Sequence, residues 1–162
     1  MASNPSSDLQ LTPLRGRGFP LSGWLVQYQL LLAVLDPFTH EAAWILPTAA
    51  RVLGTFEQAD CRVAFVMAGA DAEESRQFLG PHARSILTFP DPTKAIVRGF
   101  ALDRLPALVH VANDATVVNS AEGWDPDSWQ KVTDVLAMMM RWTGPVLPYP
   151  ADPAPFAGTP AR

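Results

Sequence analysis

The apolar positions alternate between short unbroken runs and stretches of helical period. Leu30 to Leu35 is a continuous apolar run of strand length closed by Asp36-Pro37, the pattern of a strand buried on both faces of a sheet. From Thr39 the period changes. Ile45, Ala49, Val52 and Phe56 form one helical stripe and Leu46, Ala50 and Leu53 its neighbour, with Thr39 placed to cap the helix and Glu41 in the first turn. Pro47 inside this helix removes one backbone donor and is expected to kink it. Cys61 to Met67 reads as a second strand, Ala72 to Leu79 as a short helix closed by Gly80-Pro81, and Ile86 to Phe89 as a third strand. Asp91-Pro92 is a helix start, with Ala95, Ile96 and Phe100 on the apolar side. Ala107 to Ala112 and Thr116 to Asn119 predict a hairpin turning at Asn113-Asp114. Asp125-Pro126 starts a last helix whose buried face carries Trp129, Val132, Leu136 and Met139, ending at Gly144-Pro145.

The two ends lack this regularity. Residues 1–20 mix Ser, Asn, Pro and Gly and predict a flexible N-terminal arm, followed by a short amphipathic lead-in helix from Leu21 to Tyr28. Residues 143–162 form a Pro-rich tail with no apolar period, so it is read as extended or disordered. It either lies along the domain, binds a partner through Val146, Leu147, Tyr149 and Phe156, or is a poorly ordered terminus. No core residue is expected beyond Trp142, so a chain ending at Thr143 is expected to keep its melting temperature. Residues 21–142 are the expected domain.

Composition narrows the function. With 48% hydrophobic and 17% charged residues, the chain is of ordinary globular make-up. A net charge of −4 argues against binding a phosphate backbone, so no nucleic-acid partner is expected; Arg15 and Arg17 are the only basic element before the core. The first apolar run is interrupted by Gln27 and Gln29 and is too short to cross a bilayer, so no membrane insertion is expected. The start has no cationic segment leading into an apolar one, and a cytoplasmic location is expected.

Candidate chemistry is sparse. The single cysteine, Cys61, excludes an intrachain disulfide; flanked by Asp60 and Arg62, it reads as a buried, inert thiol or as a sensor thiol assisted by Arg62. His40-Glu41 starts like a zinc-protease motif, but the residue four positions on is Trp44. A metal site would need His40, His82 and His110 to converge; none is expected, and His110 reads as a hydrogen-bonded core histidine. No phosphate loop, nucleophile elbow or dinucleotide fingerprint occurs, and no cofactor is expected. Met138, Met139 and Met140 point different ways on a helix, one or two toward the core.

The order Asp91-Pro92-Thr93-Lys94-Ala95, Gly99-Phe100-Ala101-Leu102, Leu105-Pro106-Ala107-Leu108-Val109-His110-Val111, Asn113-Asp114 and Val117-Val118 resembles the C-terminal half of the thioredoxin-like superfamily. It is similar in particular to the peroxiredoxin and thiol-disulfide oxidoreductase branch, whose extra helix Asp71 to Phe78 fits. The resemblance spans roughly Leu30 to Met140 and implies an α/β fold with a central mixed β-sheet flanked by helices. It also implies that Pro106 is a cis-proline facing the active-site loop. In one register the redox cysteines fall on Thr39 and Ala42, in the other the peroxidatic cysteine falls on Ala42. Neither places a thiol, and Glu41 would oppose a thiolate at that helix end.

The expected function is therefore that of a redox-inactive, cysteine-pair-lacking thioredoxin-fold protein, not an enzyme, serving as a partner-binding, adaptor or chaperone-like subunit. Relatives dock extended peptides beside this proline, which implies protein binding at Thr39, His40, Trp44, Arg104, Leu105 and Pro106. Arg104-Leu105-Pro106-Ala107 and Trp129 also resemble the accessory proteins of hydrogenase maturation that lack the cysteine pair. The alternatives are a thiol-dependent oxidoreductase or peroxidase using Cys61, and a structural subunit of a larger complex anchored by its tail.

Overall fold

A computed structural model describes residues 1–162. The elements are β1 (Gln10–Leu11), β2 (Phe19–Pro20), α1 (Leu21–Trp24), β3 (Gln29–Leu35), α2 (His40–Thr55), β4 (Cys61–Ala68), α3 (Ala72–Leu79), α4 (His82–Ser85), β5 (Leu87–Asp91), α5 (Ala95–Gly99), β6 (Arg104–Leu105), β7 (Ala107–Val111), β8 (Val117–Glu122), α6 (Pro126–Met140) and β9 (Thr159–Pro160). The central sheet has the order β5-β4-β3-β7-β8, with β3, β4 and β5 parallel and β7 and β8 antiparallel to their neighbours. This is the mixed sheet expected. Leu30 to Leu35 are fully buried because β3 lies at the centre with both faces covered. Leu31, Ala33 and Leu35 pack with α2 and α6 on one face, and Leu30, Leu32 and Val34 with α1 and α5 on the other. No helix is long and apolar enough to cross a membrane.

Thr39 caps α2 as expected: it has extended backbone and its hydroxyl accepts from the Ala42 N–H at 3.3 Å. α2 runs unbroken across Pro47, which lies with Ala43 and Trp44 on the exposed side of the helix. Asp91 acts differently from the sequence expectation. It ends β5, and its carboxylate reaches past a left-handed Lys94 to accept from Ile96 N–H and Val97 N–H, so the helix starts at Ala95 rather than Pro92. α6 starts at Pro126 but stops at Met140, with Arg141 in the left-handed conformation as C-cap, short of the expected Gly144. Its buried face is Trp129, Val132, Thr133, Leu136 and Ala137, whereas Met139 is exposed. The lead-in helix is a single turn, Leu21–Trp24.

Both ends depart from expectation. Residues 1–20 are not a loose arm: β1 and β2 pair antiparallel, Leu11 is fully buried, and the Trp24 indole donates to the Leu11 carbonyl at 3.0 Å. The Ser3 N–H donates to the Phe100 carbonyl and the Leu14 N–H to the Thr88 carbonyl. The Pro-rich tail lies along the domain as a strap. Leu147 and Pro145 are buried, Ala161 is fully buried, and core side chains therefore continue well beyond Trp142. Proline cannot build a helical ladder, so the strap draws its order from partners on the domain. Gln130 donates to the Pro145 carbonyl at 2.9 Å and accepts from the Leu147 N–H at 2.8 Å. Asp152 accepts from the Thr48 hydroxyl, the Arg51 guanidinium and the Tyr149 N–H at 2.7, 2.6 and 2.7 Å. Burial alone would raise the Asp152 carboxyl, but these donors and the Arg51 charge hold it below the usual range.

Candidate docking edge at the cis-proline

The loop before α2 lies at the C-terminal end of β3, where a parallel α/β strand delivers its functional loop. The Thr39 hydroxyl is spent on the Asp36 carbonyl (2.8 Å) and the Ala42 N–H, and Ala42 is buried. Phe38, His40 and Trp44 are exposed around it. No thiol is near. Cys61 begins β4 opposite Gln29, the first residue of β3, which places it at the other end of the sheet, about 20 Å away at a strand's rise per residue.

The Cys61 thiol sits against the Phe56 carbonyl at 3.8 Å and is buried, and burial followed by the Asp60 carboxylate pushes its pKa up to about 11. Roughly one molecule in ten thousand would carry a thiolate at pH 7. Arg62 gives no help, because the next residue on a strand points to the opposite face. Its guanidinium lies over Trp24 and Tyr28, 5.2 and 5.5 Å from the ring centres. The protein is therefore expected to show no insulin reduction or peroxide turnover above a buffer blank. Activity that disappears in Cys61→Ser would overturn this.

His110 is fully buried on β7, with Nε2 2.6 Å from Gln29 Oε1 and Nδ1 without a partner. His40, at the opposite end of β3, is exposed, and no group of three His, Cys, Asp or Glu side chains is disposed to hold a metal ion.

The Leu105-Pro106 peptide is cis. Pro106 is buried and its carbonyl accepts from the Gly123 N–H at 2.7 Å, while the Asp103 and Arg104 N–H groups donate to Glu122 at 2.6 and 2.9 Å. The edge formed by Arg104 and Leu105 is occupied by the chain itself. β9 pairs with it antiparallel, Arg104 opposite Pro160 and Leu105 opposite Thr159. The Ala161 N–H donates to the Asp103 carbonyl at 2.9 Å, Arg104 donates to the Gly158 carbonyl at 3.0 Å, and Arg162 pairs with Asp103 at 2.8 Å. Upstream, Trp124 and Phe156 exchange two backbone hydrogen bonds at 2.9 and 3.0 Å, and the Trp124 indole donates to the Pro153 carbonyl. The Phe156 ring meets Trp44 of α2 edge-on, with centres 6.0 Å apart.

Of the residues expected to gather, Trp44, Arg104 and Leu105 thus meet through the strap, beside Pro106. Thr39 and His40 sit one turn before Trp44 and make no hydrogen bond to Arg104 or to the strap. Sequence reasoning missed Gly123 and Gly158. Both have positive φ, +78° and +90°, and a Cβ on Gly158 would lie 2.6 Å from the Leu105 carbonyl oxygen. Gly158 in a proline-rich stretch was the available signal that this segment runs against another backbone.

No family model matches the chain and no curated protein matches it in sequence. Solved structures do. A protein of Neisseria meningitidis provisionally named a thioredoxin is 15% identical with a TM-score of 0.69, over 87% of this chain and 92% of that one. A secreted disulfide oxidoreductase of Mycobacterium tuberculosis, homologous to DsbE of E. coli, is 16% identical with a TM-score of 0.61, over 81% and 96%. A hypothetical protein of Sinorhizobium meliloti is 15% identical with a TM-score of 0.64, over 99% and 93%. Identities this low speak to fold alone, and on that fold this chain carries one cysteine, far from the loop where a pair would stand. The chain has the thioredoxin-like α/β fold.

Proposed function

We propose that the protein is a redox-silent thioredoxin-fold binding subunit, an adaptor or chaperone-like component that engages a protein partner through an extended segment laid along the Arg104–Leu105 edge. The observation that carries this reading is the β6–β9 pairing, in which that edge accepts an extended segment by backbone hydrogen bonds, with Phe156 anchored on Trp44. Such docking needs no thiol. In the free chain the C-terminal segment holds the place, so engaging a partner exchanges one strand for another.

The oxidoreductase alternative draws no support from a buried thiol whose pKa is pushed up to about 11. A subunit anchored by a free tail draws none from a strap folded onto its own domain.

The test is a chain ending at Pro155, which keeps the Leu147 and Asp152 anchors, titrated with a peptide corresponding to residues 154–162. Saturable binding is expected, with the Phe156→Ala and Gly158→Val peptides at least tenfold weaker and the full chain not binding. Arg104→Ala should weaken the peptide and His40→Ala should not. If the shortened chain keeps its circular dichroism spectrum yet binds no peptide, the edge is not a docking site.

A further inference from the structure

Away from that edge, three segments each bring an arginine to one cleft. The cleft is about 300 Å³ and is lined by Arg15, Arg76, Gly80, Pro81, Ala83 and Arg84, and it runs into a second hollow of about 130 Å³ that shares Arg15 and Arg84. Arg15 comes from the N-terminal loop, Arg76 from α3 and Arg84 from α4. Their convergence is built by the fold. The loop is pinned to the sheet where the Leu14 N–H donates to the Thr88 carbonyl at 3.0 Å, and α3 is tied to the loop where Arg76 donates to the Leu14 carbonyl at 3.2 Å.

No carboxylate lines the cleft. Glu73 approaches Arg76 only to 3.9 Å, and its side chain is 70% exposed, so it neutralises little. The side chains of Arg15 and Arg84 make no hydrogen bond or ion pair within the chain. In a protein of net charge −4, three exposed guanidinium groups with unspent donors form a local reversal of sign that favours an anion.

We propose that this cleft binds a small phosphate-bearing anion. A guanidinium offers a planar fork of donors, and one fork satisfies a carboxylate. Three forks approaching from different segments suit the tetrahedral array of oxygens on a phosphate, and the volume admits a group of pyrophosphate size. The site is independent of the docking edge, since none of its residues belongs to the strap or to β6.

The experiment is a calorimetric titration of the full chain with pyrophosphate at constant ionic strength, repeated with citrate. One site with a submillimolar Kd is expected, with citrate at least tenfold weaker. Arg15→Ala/Arg84→Ala removes no intramolecular bond, so the fold should survive, and pyrophosphate affinity should fall at least tenfold; Arg98→Ala, outside the cleft, should bind as wild type. The proposal is overturned by the absence of saturable binding, by citrate binding as tightly, or by an unchanged affinity in the double variant.

Discussion

A chain ending at Thr143 should melt about 10 °C below the full chain. The loss takes with it buried Leu147 and Ala161, the Asp152 contacts to Thr48 and Arg51, and the backbone pairing to Trp124 and Asp103. It leaves Trp124 without the partner of its indole and Leu105 without the strand that covers it. A typical net hydrogen bond contributes about 1 kcal/mol and a buried leucine about 2 kcal/mol. Set against the entropy of ordering the strap, a net loss of about 3 kcal/mol is expected, and each kcal/mol moves the midpoint of a domain this size by about 2–4 °C. Calorimetry or a thermal circular dichroism scan reads it directly. A shift below about 3 °C would mean that the strap adds no stability, and that the sequence expectation of a dispensable tail was sound.

The parts of the fold readable in the sequence are those where one local signal agrees with burial. The run from Leu30 to Leu35 has no polar residue because β3 has no solvent face; Thr39 marks a helix start because its hydroxyl takes an orphan N–H, and Pro126 marks another because proline at the first helical position has no N–H to leave unpaired. Where a side chain acts at a distance along the chain, the local signal misleads. Asp91 looks like an N-cap directly before Pro92, yet its carboxylate serves amides at Ile96 and Val97.

The ends depart from the sequence expectation for a related physical reason. Segments without their own ladder have no period to detect, and order in residues 1–20 and 143–162 comes from contacts with residues far along the sequence, such as Leu14 with Thr88 and Asp152 with Arg51. Trp44 was legible as part of a helix, and Arg104 and Leu105 were legible through the resemblance around Pro106 rather than as a strand. That the edge is already occupied was not, since nothing local to Phe156 or Thr159 names its partner. The same limit hid the arginine cleft: in the sequence Arg15 stands beside Arg17 as a basic pair, whereas the structure joins it to Arg76 and Arg84.

Acid should cost this protein about 3 kcal/mol of stability through one residue, His110. The ring is fully buried on β7, and burial pushes its pKa down from 6.5 to about 4. In the folded chain it stays neutral, with Nε2 against Gln29 Oε1, while in the unfolded chain it takes a proton near pH 6.5. Between those two values the unfolded state binds more protons, so the stability His110 permits is full above about pH 6.5 and falls away as the pH drops toward 4. Asp91 works the other way. Burial, outweighing the Ile96 and Val97 N–H groups, holds its carboxyl above the ordinary value, so it favours the folded state as the pH falls. The difference between wild type and His110→Leu isolates the histidine, because Asp91 is common to both. Urea unfolding from pH 7 to pH 4 should show wild type losing about 3 kcal/mol more than the variant. Parallel curves would mean that the buried ring is protonated in the folded chain at its ordinary pKa, with water or a carboxylate reaching the Nδ1 that has no partner here.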